Sequence, residues 1–242
     1  MLQLVTQKRK RQSKLGGRKL YRILQESFKD LGFKLGRDGF FKILRENGLL
    51  VERKKKYVKT TNSVHRFRVY TNLIKEIKKV RINQVIVSDI TYISTEEGYM
   101  YLALITEMYS RMIIGYDVSE SLSIEGSLRA LRQAIKKIRQ TEGTIHHSDR
   151  GIQYCSNDYT KLLKRRKIRI SMSEKGNPYE NAVAERVNGI LKIEFLLDQR
   201  FRTKSEARRF VREAIKIYNE ERPHMSIGYE VPAERYSRGK AA

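Results

Sequence analysis

The 242-residue chain has no tryptophan, a single cysteine (Cys155) and only 27 acidic residues against 51 Lys and Arg. One cysteine excludes a disulfide framework and any cysteine-rich zinc module, and it fits a reducing cytoplasm. No apolar run is long enough to span a membrane. The start, MLQLVTQKRKRQSKLGG, has no apolar stretch after its basic residues and so does not read as a signal peptide. Apolar residues, at 40%, are plentiful enough for a packed core and exclude wholesale disorder. The length allows one large domain or two modest ones. The excess is positive charge, a net +24. A polyanion is the expected partner, with nucleic acid the first candidate.

That charge is concentrated. Residues 1–82 hold 24 Lys and Arg with 6 Asp and Glu, whereas residues 83–242 hold 27 with 21. The basic part is not a featureless tail. Leu20, Ile23, Leu24, Ser27, Phe28 and Leu31 follow helical spacing behind Gly16-Gly17. Phe40, Phe41, Ile43 and Leu44 form a second stripe, closed by Asn47-Gly48. Two short helices joined by the turn-rich Gly32–Gly36 suggest a helix-turn-helix-like domain over residues 1–52. Lys42 and Arg45 on the second helix are candidate DNA contacts, although a basic helical hairpin can also be purely structural. Residues 53–82 read as a basic linker, in which Arg53, Lys54, Lys55 and Lys56 could bind phosphates without base specificity.

From residue 83 the pattern changes. Gln84–Ile93, Tyr99–Glu107 and Met112–Val118 read as three strands whose short connections favour an antiparallel meander. Ile124–Gln140 reads as a helix and Thr144–His147 as a short strand. Asn157–Arg166 reads as a helix capped by Ser156, followed by a strand at Ile168–Ser171. Gly176-Asn177-Pro178 marks a loop, and one long helix starts near Glu180. Another starts at Thr203, with Thr203 and Glu206 as a capping box. The sum is a mixed α/β sheet, with a core at 83–200 and a C-terminal helix and tail at 201–242 completing it.

Three acidic residues stand out by position. Asp89 interrupts an otherwise apolar strand, a costly place for a carboxylate unless a cation meets it. Asp149 follows the short strand at its C-terminal end, where α/β sites tend to lie. On the helix near Glu180, a turn of about 100° per residue puts Asn181, Glu185, Asn188 and Lys192 in one stripe. Val183, Val187, Ile190 and Leu197 fall opposite. Glu185 and Lys192 are then about 10 Å apart along the axis, which suits a carboxylate at a metal and an ammonium on a nearby phosphate. Spacing alone also permits a plain solvated face. His146 and His147 beside Asp149 fall short of a zinc site, and Cys155 cannot complete one.

The surrounding residues add a resemblance. His147–Tyr154 (HSDRGIQY), Gly176–Glu185 (GNPYENAVAE) and Tyr218–Tyr229 (YNEERPHMSIGY) closely resemble the OrfB-type transposases of the insertion-sequence-three family. Those proteins share the integrase core of retroviruses. Thirty-five residues lie between Asp149 and Glu185, matching the family's Asp, Asp, 35, Glu label, and Lys192 matches its basic residue. Gly17–Tyr21 and Arg45–Leu49 resemble the family's N-terminal helical region. In two places the chain departs from the pattern: Ile86 stands where many members have Trp, and Glu180-Asn181-Ala182 stands for Asp-Asn-Ala.

The resemblance implies an α/β, RNase H-like mixed-sheet core preceded by a small helix-turn-helix-like domain. It implies a DNA transposase with catalytic Asp89, Asp149 and Glu185 as metal ligands, Asp89 bridging, and Lys192 on a DNA phosphate. Hard oxygen ligands favour Mg²⁺, with Mn²⁺ as a substitute, and two such ions about 3.5–4 Å apart suit in-line displacement. Double-stranded DNA is the expected substrate, handled by a homo-oligomer on paired ends through a copy-out, paste-in route. The downstream reading frame of a frameshift fusion and a bacterial cytoplasm, nucleoid-associated on DNA, are also implied. A non-catalytic DNA-binding descendant and a same-fold nuclease that only hydrolyses remain open alternatives at this point.

Overall fold

A computed structural model describes residues 1–51, 66–78, 80–174 and 178–241. Arg53, Lys54, Lys55 and Lys56 lie outside the described residues, as does the part of the expected loop at Gly176-Asn177. The N-terminal part is helical, with α1 (Leu2–Arg11), α2 (Gly17–Asp30) and α3 (Arg37–Glu46). Their apolar stripes close on one another through Val5, Leu15, Leu20, Leu24, Phe28, Phe40 and Leu44, all buried. The periodicity of α2 and α3 was legible. α1 was not, because four consecutive basic residues in its last turn mask the one position, Val5, that it buries.

The next elements are β1 (Val85–Thr95), β2 (Gly98–Glu107), β3 (Ile113–Ser119), α4 (Ile124–Ile138) and β4 (Ile145–Ser148). They are followed by α5 (Ile152–Cys155), α6 (Asn157–Arg165), β5 (Arg169–Met172) and α7 (Ala182–Glu194), which a 3-10 turn at Pro178–Asn181 introduces. β6 (Arg200–Phe201), α8 (Lys204–Glu220) and α9 (Pro232–Ala241) complete the order. β6 and α9 carry no long apolar period and were missed by the sequence reading.

The sheet runs β3-β2-β1-β4-β5, with β6 joined to the far end of β1. β1, β2 and β3 are the expected antiparallel meander, with Asp89 opposite Leu104. β4 and β5 lie parallel to β1. β4 pairs with β1 through Val87 and β6 only from Ser94, so the intervening stretch of β1 has no described strand on that edge. This gap is the structural feature that positions the site. Helices cover both faces. α4, α5 and α6 pack around Ile86, Ile105 and Ile114, and α7 and α8 around Ile93, Leu102 and Leu104. Gly115 is required for the first of these layers, because a Cβ there would meet the Ala130 carbonyl oxygen of α4 at 2.2 Å.

Three expectations are corrected. The linker reading fails for its second half, since Leu73, Ile74, Ile77 and Val80 pack against Val85, Val87, Ile145 and Ala184. The Leu73 N–H also donates to Ser171 Oγ at 2.8 Å. Ser156 precedes α6 but does not cap it by its side chain; its hydroxyl donates to Gln153 O instead. At α8 the Thr203 hydroxyl accepts from Glu206 N–H at 3.1 Å as expected, but Glu206 returns its bond to Arg202 N–H rather than to the cap residue. Among the described residues, no helix is long and apolar enough to cross a membrane.

Candidate functional site

Asp89 sits on β1 where that strand lacks a neighbour, half-buried and facing α7. Its Oδ1 accepts from Ile90 N–H at 2.9 Å and its Oδ2 from Asn188 Nδ2 at 2.7 Å. Asn181 Nδ2 donates to the carbonyl of Ser88 at 3.2 Å, so the polar stripe of α7 lies along β1. The helix-wheel reading named Asn181 and Asn188 in that stripe but gave neither a role. Asp149 follows β4, its Oδ1 accepting from Gly151 N–H at 2.9 Å. A Cβ at residue 151 would come within 3.0 Å of that same oxygen. Glu185, in the first turn of α7, is exposed.

The three carboxylates act on one another. Burial first, and then the charge of Asp149, push the Asp89 carboxyl up to about 7, with a smaller contribution from Glu185. Glu185 is raised by burial and by Asp149. Three elements far apart in sequence therefore bring these acids into one electrostatic site. Among the described residues, no three His, Cys, Asp or Glu side chains are gathered closely enough to hold a metal ion as they stand. Mutual repulsion of three anions without a counter-ion opposes such gathering. The donor chemistry fits a hard divalent cation, because all three are carboxylates.

Lys192 lies two turns along α7 from Glu185. Its ammonium stands 4.5 Å from the centre of the Tyr92 ring. Burial lowers its pKa, and the charges of Asp89 and Asp198 act the other way. Lys42 and Arg45 are exposed on α3, where Lys42 makes only a loose pair with Glu46 at 3.9 Å. The histidines belong to the framework. His146 Nε2 lies 2.7 Å from Ser88 Oγ and 2.9 Å from the Tyr159 hydroxyl. His147 Nδ1 lies 2.8 Å from Ser171 Oγ. Burial pushes their pKa values down to about 3 and about 4, so both stay neutral. Cys155 is buried against Met172. Arg222, within the Tyr218–Tyr229 motif, is 2% exposed and engaged with Glu194.

The Asp89 shift has a consequence for stability. An acid whose pKa rises on folding favours the folded state only while it is protonated. Its contribution is present below about 4 and is lost as the pH climbs to about 7. Asp89→Asn, which mimics the neutral acid, should therefore exceed the parent in Tm at pH 8 in EDTA, and the gap should close at pH 4. A gap independent of pH would contradict the raised pKa.

Residues 79–178 and 166–232 both match the integrase core domain family. Among curated proteins, the chain is 40% identical over 214 residues to an insertion element IS600 31 kDa protein of Shigella sonnei, covering 88% of this chain and 79% of that one. It is 32% identical to the transposase for insertion sequence element IS629 of Shigella sonnei, over 90% of this chain and 72% of that one. It is 35% identical to the transposase InsF of insertion sequence IS3A from Escherichia coli, over 76% and 65%. Among solved structures, a simian T-cell lymphotropic virus intasome matches with TM-score 0.55 at 16% identity, over 91% of this chain and 74% of that one. The catalytic core of HTLV-2 integrase in complex with magnesium matches with TM-score 0.52 at 15% identity, over 66% and 99%. At that identity the two structures show a shared fold, that of a mixed-sheet integrase core.

Proposed function

This chain belongs to the IS3 family of insertion-sequence transposases and carries an integrase catalytic core, and on that premise we propose that it cuts the ends of its element and joins them to DNA. Asp89, Asp149 and Glu185 are the catalytic carboxylates in this reading. What supports it is that α7, which carries Glu185, is bonded to Asp89 through Asn188 at 2.7 Å, with the charge of Asp149 raising both of the others.

The three side chains would hold Mg²⁺, which when bound supplies charge neutralisation and polarises the reacting phosphate. The chain's own groups do the positioning. Ile90 N–H and Asn188 Nδ2 fix the two oxygens of Asp89, and Gly151 N–H fixes one of Asp149. Lys192, one turn beyond Asn188 on α7, brings a positive charge to the neighbourhood of Asp89, where it would meet a phosphate next to the scissile bond. In the first step water attacks phosphorus as the bond to the 3′ oxygen breaks, leaving a 3′-hydroxyl. In the second that hydroxyl attacks a target phosphodiester, one P–O bond forming as another breaks. No serine or tyrosine has to become covalently attached.

The basic helical domain, with Lys42 and Arg45 on α3 and Arg53, Lys54, Lys55 and Lys56 beyond it, would hold double-stranded DNA. The exposed Lys42–Glu46 pair is weak enough for a phosphate to displace. A homo-oligomer would bring two ends together.

The test uses purified protein, Mg²⁺ and a labelled duplex carrying one end of the element. Nicked and joined products are expected. EDTA should abolish both while leaving binding in a mobility-shift assay intact. Hydrolysis without joining would make the protein a nuclease, and binding without cleavage in Mg²⁺ or Mn²⁺ would make it a DNA-binding protein only.

A further inference from the structure

We propose that Tyr99 is a stacking platform for an unpaired nucleobase of the DNA strand held at the carboxylates. The proposal rests on the reading of Asp89, Asp149 and Glu185 as the catalytic group. Tyr99 is 58% exposed, the most exposed aromatic ring among the described residues. A large ring left in water is informative when it is also held still and stands beside charge.

Tyr99 is held still. It lies opposite Ser94 at the closed end of the β1–β2 hairpin. The Thr95 hydroxyl donates across that turn to Gly98 O at 2.6 Å and accepts from Glu97 N–H at 3.1 Å. Gly98, at φ +106, takes the left-handed conformation that the turn needs. The Tyr99 ring meets Tyr92 edge-on, with centroids 5.6 Å apart and planes at 83°. This contact braces Tyr99 and leaves most of its surface to solvent.

The charge is also at Tyr92, whose ring carries the Lys192 ammonium at 4.5 Å. Lys192 stands one turn beyond Asn188 on α7, and Asn188 Nδ2 donates to Asp89 Oδ2 at 2.7 Å. A continuous path therefore leads from the carboxylates through a cation and a buttressing ring to a bare ring. The Tyr99 centroid is at most about 10 Å from the Lys192 ammonium, some three nucleotide rises along one strand. A cation for phosphate beside an aromatic ring for a base is the pairing that binds single-stranded nucleic acid without sequence preference. Strand cleavage at a duplex end needs the scissile phosphate to approach three carboxylates, and local unpairing frees a base face for Tyr99 as it does so.

Fluorescence of 2-aminopurine, placed at successive positions beside the cleavage point, tests this. Binding is measured in an Asp149→Asn background, which reports stacking without turnover. Quenching is expected at one position, lost when Tyr99→Ala is added and retained with Tyr99→Phe. With Asp149 intact, Tyr99→Ala should raise KM for the duplex end about tenfold with little change in kcat. An abasic site at the quenched position should erase that penalty. Quenching indifferent to Tyr99→Ala, or a penalty undiminished on the abasic end, would overturn the proposal in favour of a structural role for the hairpin. Cleavage without any Tyr99 dependence would leave the catalytic reading standing and remove this one. Quenching that needs Tyr99, in a protein that never cleaves, would do the reverse.

Discussion

Asp149→Asn is expected to abolish both cleavage and joining, with a loss on the order of a thousand-fold or more, about 4 kcal/mol on the barrier. Asparagine keeps the shape and the Gly151 N–H bond that Asp149 accepts through Oδ1. It removes one negative charge from a site whose carboxylates already act on each other. The loss would therefore reflect charge and ligation, not folding. The same substitution relieves Asp89 and Glu185 of a repelling neighbour, so the variant should be no less stable than the parent in EDTA. It should also keep its affinity for DNA. Single-turnover assays on a labelled element end, run beside a thermal melt and a mobility shift, separate these effects. Activity within tenfold of the parent would remove Asp149 from the catalytic set.

Arg222→Ala should have the largest effect on stability. Arg222 follows α8 and is almost completely enclosed, donating to both oxygens of Glu194 at 2.9 and 3.0 Å. Glu194 ends α7 and also receives Lys19 from α2. Burial alone would raise the Glu194 carboxyl, but Arg222 and Lys19 reverse the sign and hold it below the usual range. Lys19 shows the opposite balance. Burial and the nearby Arg222 charge outweigh Glu194 and push it down to about 8. Arg222 is thus the main partner of Glu194 and Lys19 the lesser one. Removing it leaves a poorly compensated buried carboxylate, at a cost of about 3–5 kcal/mol. For a chain of this size each kcal/mol lowers Tm by about 2–4 °C, so a fall of roughly 6–20 °C is expected. Replacing all three members, as Arg222→Met with Glu194→Leu and Lys19→Met, should recover much of the loss because no charge is then stranded. A denaturant titration showing less than about 1 kcal/mol for Arg222→Ala would contradict this assignment.

The Glu194 cluster also shows where reading along the chain stops. Lys19, Glu194 and Arg222 join residues 175 and 28 positions apart, and nothing in the local sequence distinguishes them from other surface charges. YNEERPH was legible as a motif, yet only the packing shows that Arg222 is buried and belongs to the framework. The packing of Leu73, Ile74, Ile77 and Val80 was hidden in the same way. These apolar residues are interleaved with lysines, so they read as linker until β1, β4 and α7 provide a surface for them.

Two things were decided by sequence alone. The strands β1–β3 follow from β-branched apolar runs with short connections, and the helical stripes of α2, α3, α4 and α7 from a periodicity of 3.6, which a few neighbouring residues specify. Asp89 stood out by its place in an apolar strand, and Asp149 and Glu185 by their places after a short strand and on a helix stripe, while their reading as a triad came from the family resemblance. Tertiary structure alone decided what these groups experience. The raised pKa of Asp89, its bond from Asn188 ninety-nine residues away and the seating of Lys192 over Tyr92 all depend on which surfaces meet. Desolvation and Coulomb energy depend on distance in space, and distance along the chain carries almost no information about that.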